Sequence, residues 1–240
     1  RAAAFGHGRL IAAIDNDAEF ADATTLARAA AVLDTDRTLA AIGMRIVHFR
    51  TGADDVTSWG YPPRLLARVA EVFDAATFVG AGHVIRRAAW NDAGPYDEAL
   101  FFCWEEFDWC LRAIERGWGV QYRGELVVRH TVSAEHRVAW SGARWFFFVR
   151  NRLYVGRKSG SAWLTLSPRY AGYLVRGARN GLLLPTLRAW PAAVALSARA
   201  PLVPLSGPAR AYLRRTDAAH RGSVLTRIRT EMLRLLPRAI

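Results

Sequence analysis

The first 130 residues alternate short apolar runs with segments of helical spacing, and that alternation most narrows what the chain can become. Strand-like and helix-like pieces taken in turn predict a layered α/β or α+β domain. The run RLIAAI, residues 9–14, stops abruptly at Asp15, Asn16 and Asp17. Acids here would break the apolar face of a helix, so a buried strand entering an acidic turn fits better. Residues 22–36, DATTLARAAAVLDTD, follow with a capping signal and with Leu26, Ala30 and Leu33 at helical spacing. LAAIGMRIVHF, residues 39–49, reads as the next strand, and DDVTSWGYPP, 54–63, as a turn-rich loop. ATFVGAGHVIRR, 76–87, is β-prone, and RAAWNDAGPYDEAL is a short helix ending in a Gly-Pro turn. A helix from Glu105 to Arg116 stops at Gly117, and GVQY and ELVVRH read as two more strands, the second ending at His130.

Beyond His130 the pattern changes. Aromatic residues from Trp140 to Tyr154 interleave with Arg144, Arg150, Arg152 and Arg157, and a long apolar stretch interrupted by arginine and proline follows. A boundary near 135 divides the chain into 1–135 and a helical, basic and aromatic extension, 136–240. The formal charge is +12, and of 33 basic residues only Lys158 is lysine. Such a surface favours anionic partners: phosphates, acidic lipids or nucleic acid. No helix-turn-helix, zinc-finger or RNA-module pattern accompanies the basic segment, so nucleic acid is not the favoured partner. Cys103 and Cys110 match no zinc spacing and are expected as reduced thiols. No signal peptide is evident, and no apolar run is long enough to span a bilayer.

Three places carry candidate chemistry. Asp15 and Asp17, on a turn at a strand end, can hold a hard divalent ion with a diphosphate, or can simply form an Asx turn. Glu105 and Glu106 open an apolar helix on directions about 100° apart, with Asp108 and Arg112 placed to form a structural i,i+4 pair. Glu106, among aromatic neighbours, suits general-base work, and complementing the helix dipole is the alternative. His130 can complete a metal shell or contact a phosphate, and it can equally be a satisfied structural histidine. Gly80, Ala81 and Gly82 would let a ligand approach the backbone.

The succession LIAAIDNDAEF, FVGAGHVIRRAAWNDAGPYDEALFFCWEEFDWCLRAIERGW and VVRH resembles the family 2 glycosyltransferases, closest in flavour to a bacterial rhamnosyltransferase-like branch. The resemblance covers about residues 8–157. It implies a GT-A fold, a mixed sheet flanked by helices, and inverting transfer from a nucleotide-diphosphate sugar to a hydroxyl of a cell-surface glycan or lipid-linked acceptor. By the same resemblance Asp15 and Asp17 match the DxD turn that binds Mg2+ or Mn2+ and the donor diphosphate, and His130 matches the histidine beside them. Glu106 falls where the family carries its base, with Glu105 as the alternative. Gly80, Ala81 and Gly82 match the loop under the sugar and acceptor, and Arg150-Asn151 resembles an RN pair found in this branch. Family members carry a longer nucleotide-binding stretch than the fourteen residues ahead of Asp15. The expectation is therefore an N-terminally truncated member with an incomplete nucleotide-binding half, weak in donor binding and turnover. A peripheral place at the cytoplasmic face of the bacterial plasma membrane follows as an expectation from the basic, aromatic extension. The competing reading is a non-catalytic basic module for nucleic acid or membrane.

Overall fold

The structure, a computed structural model, describes residues 2–131, 140–227 and 236. These form two compact units. The first takes residues 2–96, 109–131 and 207–221; the second takes 97–108, 140–206, 222–227 and 236. The boundary expected near 135 falls outside the described residues.

The first unit is built on a mixed sheet of six strands: β1 (Leu10–Ile14), β2 (Ala18–Phe20), β3 (Leu39–His48), β4 (Val72–Asp74), β5 (Gly82–Arg86) and β6 (Gly119–His130). Their order is β1-β5-β3-β6, with β2 and β4 both paired to the outer side of β6. Only β3 and β6 run parallel. β3 is buried along nearly its whole length, which is why its sequence is a continuous apolar run rather than an alternating one. It packs in a core of Ala29, Leu33, Ile42, Met44, Val84, Leu126 and Val128. The helix Thr25–Thr35 turns Thr25, Ala29 and Leu33 inward. Its buried face is offset from the one expected, and Leu26 is exposed. Arg86 donates to the carbonyls of Leu33, Asp36 and Leu39, satisfying the end of that helix from the neighbouring strand.

GVQY and ELVVRH, expected as two strands, are one. The register against β3 jumps from Met44–Arg123 to Arg45–Val127, so residues 124–126 form a bulge within β6. Gly124 is required there, because a Cβ would lie 2.4 Å from the carbonyl carbon of Ala70. The bulge divides the outer side of β6: β4 pairs before it, at Gln121–Arg123, and β2 after it, at Val128–His130. The three-residue β2 was not expected at all. Trp59 and Tyr61 pack edge-on to Tyr122, which stacks on Phe73, and this cluster pins the 54–63 loop to the sheet. The Tyr212 hydroxyl lies 2.9 Å from both the N–H and the carbonyl of Val120 and 3.0 Å from the carbonyl of Ala75, tying in the helix Gly207–Thr216.

The second unit has the helices Gly142–Lys158, Trp163–Arg179 and Leu183–Ser197 around Trp145, Val149, Leu153, Leu166, Ala189 and Ala193. Trp145 donates from Nε1 to Thr186 Oγ1 at 2.7 Å inside this core. Among the described residues no helix is long and apolar enough to cross a membrane. The helix Glu105–Glu115 contributes residues to both units and ends before Gly117, whose φ is +88°.

Candidate active site

β1 ends at Ile14, and the next three residues make the turn into β2. The amide of Asp15 donates to the carbonyl of Ala81 at 3.5 Å, and the Ala18 amide closes the turn on the carbonyl of Asp15 at 3.1 Å. β2 then pairs Ala18 with His130, and the carbonyl of Asp17 accepts from the Thr131 amide at 2.8 Å. Sheet register therefore brings the acidic turn to the end of β6. His130 Nε2 lies 3.2 Å from Asp17 Oδ1 and 3.7 Å from Asp15 Oδ2, and one ligand atom from each residue falls within 4.8 Å of the others. The imidazole is fully buried, whereas the two carboxylates are more than a third exposed. This is a half-open set of two oxygens and one nitrogen. The carboxylates suit Mg2+ or Mn2+, and the imidazole adds a softer donor.

The histidine is aimed by a residue the sequence did not single out. Asp55 Oδ2 lies 3.3 Å from His130 Nδ1, and its side chain is wholly buried. Asp55 is held by the amides of Thr57 and Ser58 at 3.0 and 3.2 Å and by both their hydroxyls at 2.5 Å. Burial pushes its carboxyl up. The hydrogen bonds from Ser58, Thr57 and His130 outweigh that and bring its pKa down to about 2. A charged carboxylate at Nδ1 favours the N–H there, the tautomer that turns the Nε2 lone pair toward the two aspartates. The signal available in the sequence was the D-x-T-S pattern of a side-chain-capped turn.

The glycine segment enters the sheet. Gly80 is partly exposed, Ala81 and Gly82 are buried, and Gly82 begins β5. A Cβ on Gly82 would lie 2.7 Å from Val128 Cγ2, so sheet packing alone accounts for this glycine. The next residue, His83, is buried, stacks on Phe78 at 4.3 Å, and has Nε2 3.4 Å from the Tyr96 hydroxyl. Burial lowers its pKa to about 4, against the opposing pull of the Val79 and Gly80 backbone and the Asp15 charge.

In the second unit, the helix start follows an irregular backbone. Phe101, Cys103 and Trp104 have φ of +60°, +67° and +74°. For side chains other than glycine each such conformation costs about 1 kcal/mol or more. Glu105 and Glu106 come next, both partly buried. Burial raises the pKa of Glu105, and its Oε2 has no hydrogen-bond partner among the described residues. Asp108 is almost completely buried and faces the Lys158 ammonium at 3.0 Å. Lys158 also meets Asp97 at 2.6 Å, and Asp97 accepts from the Tyr154 hydroxyl at 2.8 Å. The one lysine thus bridges two carboxylates, a role for its compact ammonium that composition alone did not disclose. In the first unit Arg112 donates to the carbonyls of Ala93, Gly94 and Pro95. Neither Cys103 nor Cys110 is in a disulfide, and Cys103 precedes the helix rather than lying in it. Burial, and then the Glu105 charge, push the Cys103 thiol up to about 12, with Arg144 pulling the other way.

No family model matches the sequence, and no curated protein matches it. Among solved structures, GalNAc-T7 with UDP, GalNAc and Mn2+ is similar over 69% of this chain and 35% of its own, at 18% identity and a TM-score of 0.50. The mannosyltransferase PcManGT from Pyrobaculum calidifontis, in complex with GDP-Man and Mn2+, is similar over 96% of this chain and 61% of its own, at 19% identity and a TM-score of 0.47. TarS from S. aureus is similar over 92% and 40%, at 17% identity and a TM-score of 0.39. This chain spans about a third of the length of the first and less than two thirds of the other two. The mixed sheet, its flanking helices and the C-terminal helices are those of a GT-A type glycosyltransferase fold.

Proposed function

We propose that this chain carries the donor-diphosphate and acceptor part of an inverting glycosyltransferase of the family 2 type, in a rhamnosyltransferase-like bacterial branch. The observation that carries this reading is the convergence of Asp15, Asp17 and His130, with Nε2 aimed by Asp55. That donor set fits Mg2+ or Mn2+ and leaves room for diphosphate oxygens. A divalent ion held there supplies positive charge to the leaving nucleoside diphosphate. GalNAc-T7, which shares the fold, contains UDP, GalNAc and Mn2+, and this supports a nucleotide-sugar donor.

Glu106 takes the proton of the acceptor hydroxyl as that oxygen attacks the anomeric carbon and the bond to diphosphate breaks. Glu105 is the alternative base. Its burial and raised pKa favour proton acceptance, and the choice between the two is open to mutation. A single in-line displacement inverts the anomeric centre and needs one base only. The acceptor is a cell-surface glycan or a lipid-linked glycan. Residues 140–206 hold ten Lys and Arg and no Asp or Glu, which supports peripheral contact with an anionic membrane face.

The test is binding of UDP and GDP with and without Mn2+, followed by transfer from a panel of nucleotide sugars. Binding is expected to require Mn2+ and to be lost in Asp17→Ala. Glu106→Gln keeps binding and loses transfer; if Glu105→Gln does so instead, the roles exchange. Metal-independent binding that survives Asp17→Ala would sink the reading in favour of a non-catalytic basic module.

A further inference from the structure

The segment joining Leu100 to Glu105 holds all three non-glycine residues of positive φ among the described residues, and two of them, Phe101 and Trp104, are aromatic. Bulky side chains do not choose this backbone, so something else must impose it. Within the second unit the imposing group is the side-chain amide of Asn151. The two N–H of its Nδ2 are shared among the carbonyls of Leu100, Phe102 and Cys103, at 2.7, 2.7 and 3.0 Å. Its Oδ1 accepts from Arg150 Nε at 2.8 Å, and Arg150 Nη2 reaches the carbonyls of Ala99 and Leu100 at 2.8 and 3.2 Å. Trp104 Nε1 donates to the carbonyl of Phe148 at 2.9 Å.

Asn151 is fully buried in the middle of the helix Gly142–Lys158. Asparagine is a poor helix former, and a buried amide is tolerated only when its hydrogen bonds are met. Here they are met by the carbonyls of the left-handed segment on one side and by Arg150 on the other. Packing alone would be served by an apolar residue. The carbonyls of Leu100, Phe102 and Cys103 converge on one atom across a segment in which Phe101 and Cys103 have positive φ. The direction in which the chain enters Glu105 and Glu106 is set at Trp104, immediately before them.

We propose that Asn151, oriented by Arg150, is a positioning residue: it holds Phe101–Trp104 in the left-handed conformation and thereby fixes how Glu105 and Glu106 are presented. The catalytic meaning of that presentation rests on the acidic pair supplying the base. The clamp itself does not.

The experiment uses the whole chain and its two native thiols. Cys103 lies inside the clamped segment and Cys110 is fully buried, so N-ethylmaleimide labelling, located by peptide mass spectrometry, reads local and wider opening separately. Asn151→Ala is expected to speed Cys103 labelling about tenfold with Cys110 unchanged, as a local opening does. Phe101 is 82% exposed, so Phe101→Gly leaves the core intact. Because glycine accepts positive φ freely, Phe101→Gly should slow Cys103 labelling about fivefold in either background. With an active nucleotide sugar, Asn151→Ala should lower kcat about a hundredfold while UDP·Mn2+ affinity holds, and adding Phe101→Gly should restore part of kcat.

If Asn151→Ala exposes Cys110 as well, Phe101→Gly in the otherwise native chain decides. Slower Cys103 labelling supports the clamp. Equal or faster labelling shows that ring packing holds the segment and overturns it. Opening of Cys103 with kcat unchanged overturns the positioning role. Labelling as expected, with UDP and GDP binding that neither requires Mn2+ nor falls in Asp17→Ala, leaves the clamp standing and removes the glycosyltransferase reading instead.

Discussion

His130 Nδ1 and Asp55 Oδ2 are 3.3 Å apart, and neither side chain has any surface exposed to water. A buried carboxylate behind a histidine fixes which ring nitrogen faces the open side, and here that nitrogen is Nε2, beside Asp15 and Asp17. Asp55→Asn keeps the shape and removes the charge. Its amide can offer N–H to Nδ1, so the ring is free to carry its own proton on Nε2, where a cation would bind. Mn2+ affinity, followed by electron paramagnetic resonance titration, is expected to fall about 10–100-fold.

The same carboxylate links the site to acid stability. Its folded pKa of about 2 lies below the ordinary value, so its contribution is present above pH 4 and is lost as pH falls towards 2. The expected size is ~2 kcal/mol. Urea titrations between pH 5 and pH 2 should show Asp55→Asn losing less stability over this window than the native chain.

His83 gives a second window with the same sign. Its neutral form is buried and its pKa is lowered to about 4, while an unfolded histidine titrates near its model value of 6.5. As pH falls from 6.5 to 4 the unfolded chain takes up a proton that the folded chain refuses, and stability drops by ~3 kcal/mol. His83→Phe, which can still stack on Phe78, should flatten this limb in chemical denaturation. An unchanged slope would show that His83 does not carry it.

Gly82 distinguishes packing from ligand approach. Gly82→Ala should destabilise by ~1–3 kcal/mol, since the new methyl meets Val128 at 2.7 Å. Val128→Ala added to it should recover part of the loss in thermal melts. If the pair shows no coupling and only nucleotide binding suffers, the glycine serves the ligand.

Lys158 bridges Asp97 and Asp108, all three side chains being largely buried. Lys158→Met removes the ammonium that bridges the two carboxylates and is expected to destabilise the second unit by about 3 kcal/mol. The triple change with Asp97→Asn and Asp108→Asn should be milder than Lys158→Met alone, as equilibrium unfolding would show.

The parts of this fold visible in the sequence are those whose signals are local. RLIAAI stops at an acidic turn, and β1 ends at Ile14 accordingly, although it is a half-buried edge strand and not the buried strand expected. The helix Glu105–Glu115 has its acids at the start and Gly117 beyond its end, so its extent was legible. β6 was not, because Gly124 looks like a turn residue when it is in fact the bulge that lets Ala70 approach. Asp55 was hidden for a related reason. Its loop reads as polar and variable, and that loop is pinned by Trp59 and Tyr61 packing on Tyr122, itself stacked on Phe73, both of which lie further along the sequence. The role of Asn151 was equally invisible, since its partners are backbone carbonyls about fifty residues earlier and a carbonyl leaves no mark on sequence.

The chain has 33 basic residues and a single lysine, and that lysine is 8% exposed. Acylating reagents that attack amines therefore find one side-chain target in the whole molecule, and in the folded state it is shielded and engaged. Succinimidyl-ester labelling at Lys158 becomes a built-in gauge of how often the second unit opens, with no engineered probe and no background from the arginines.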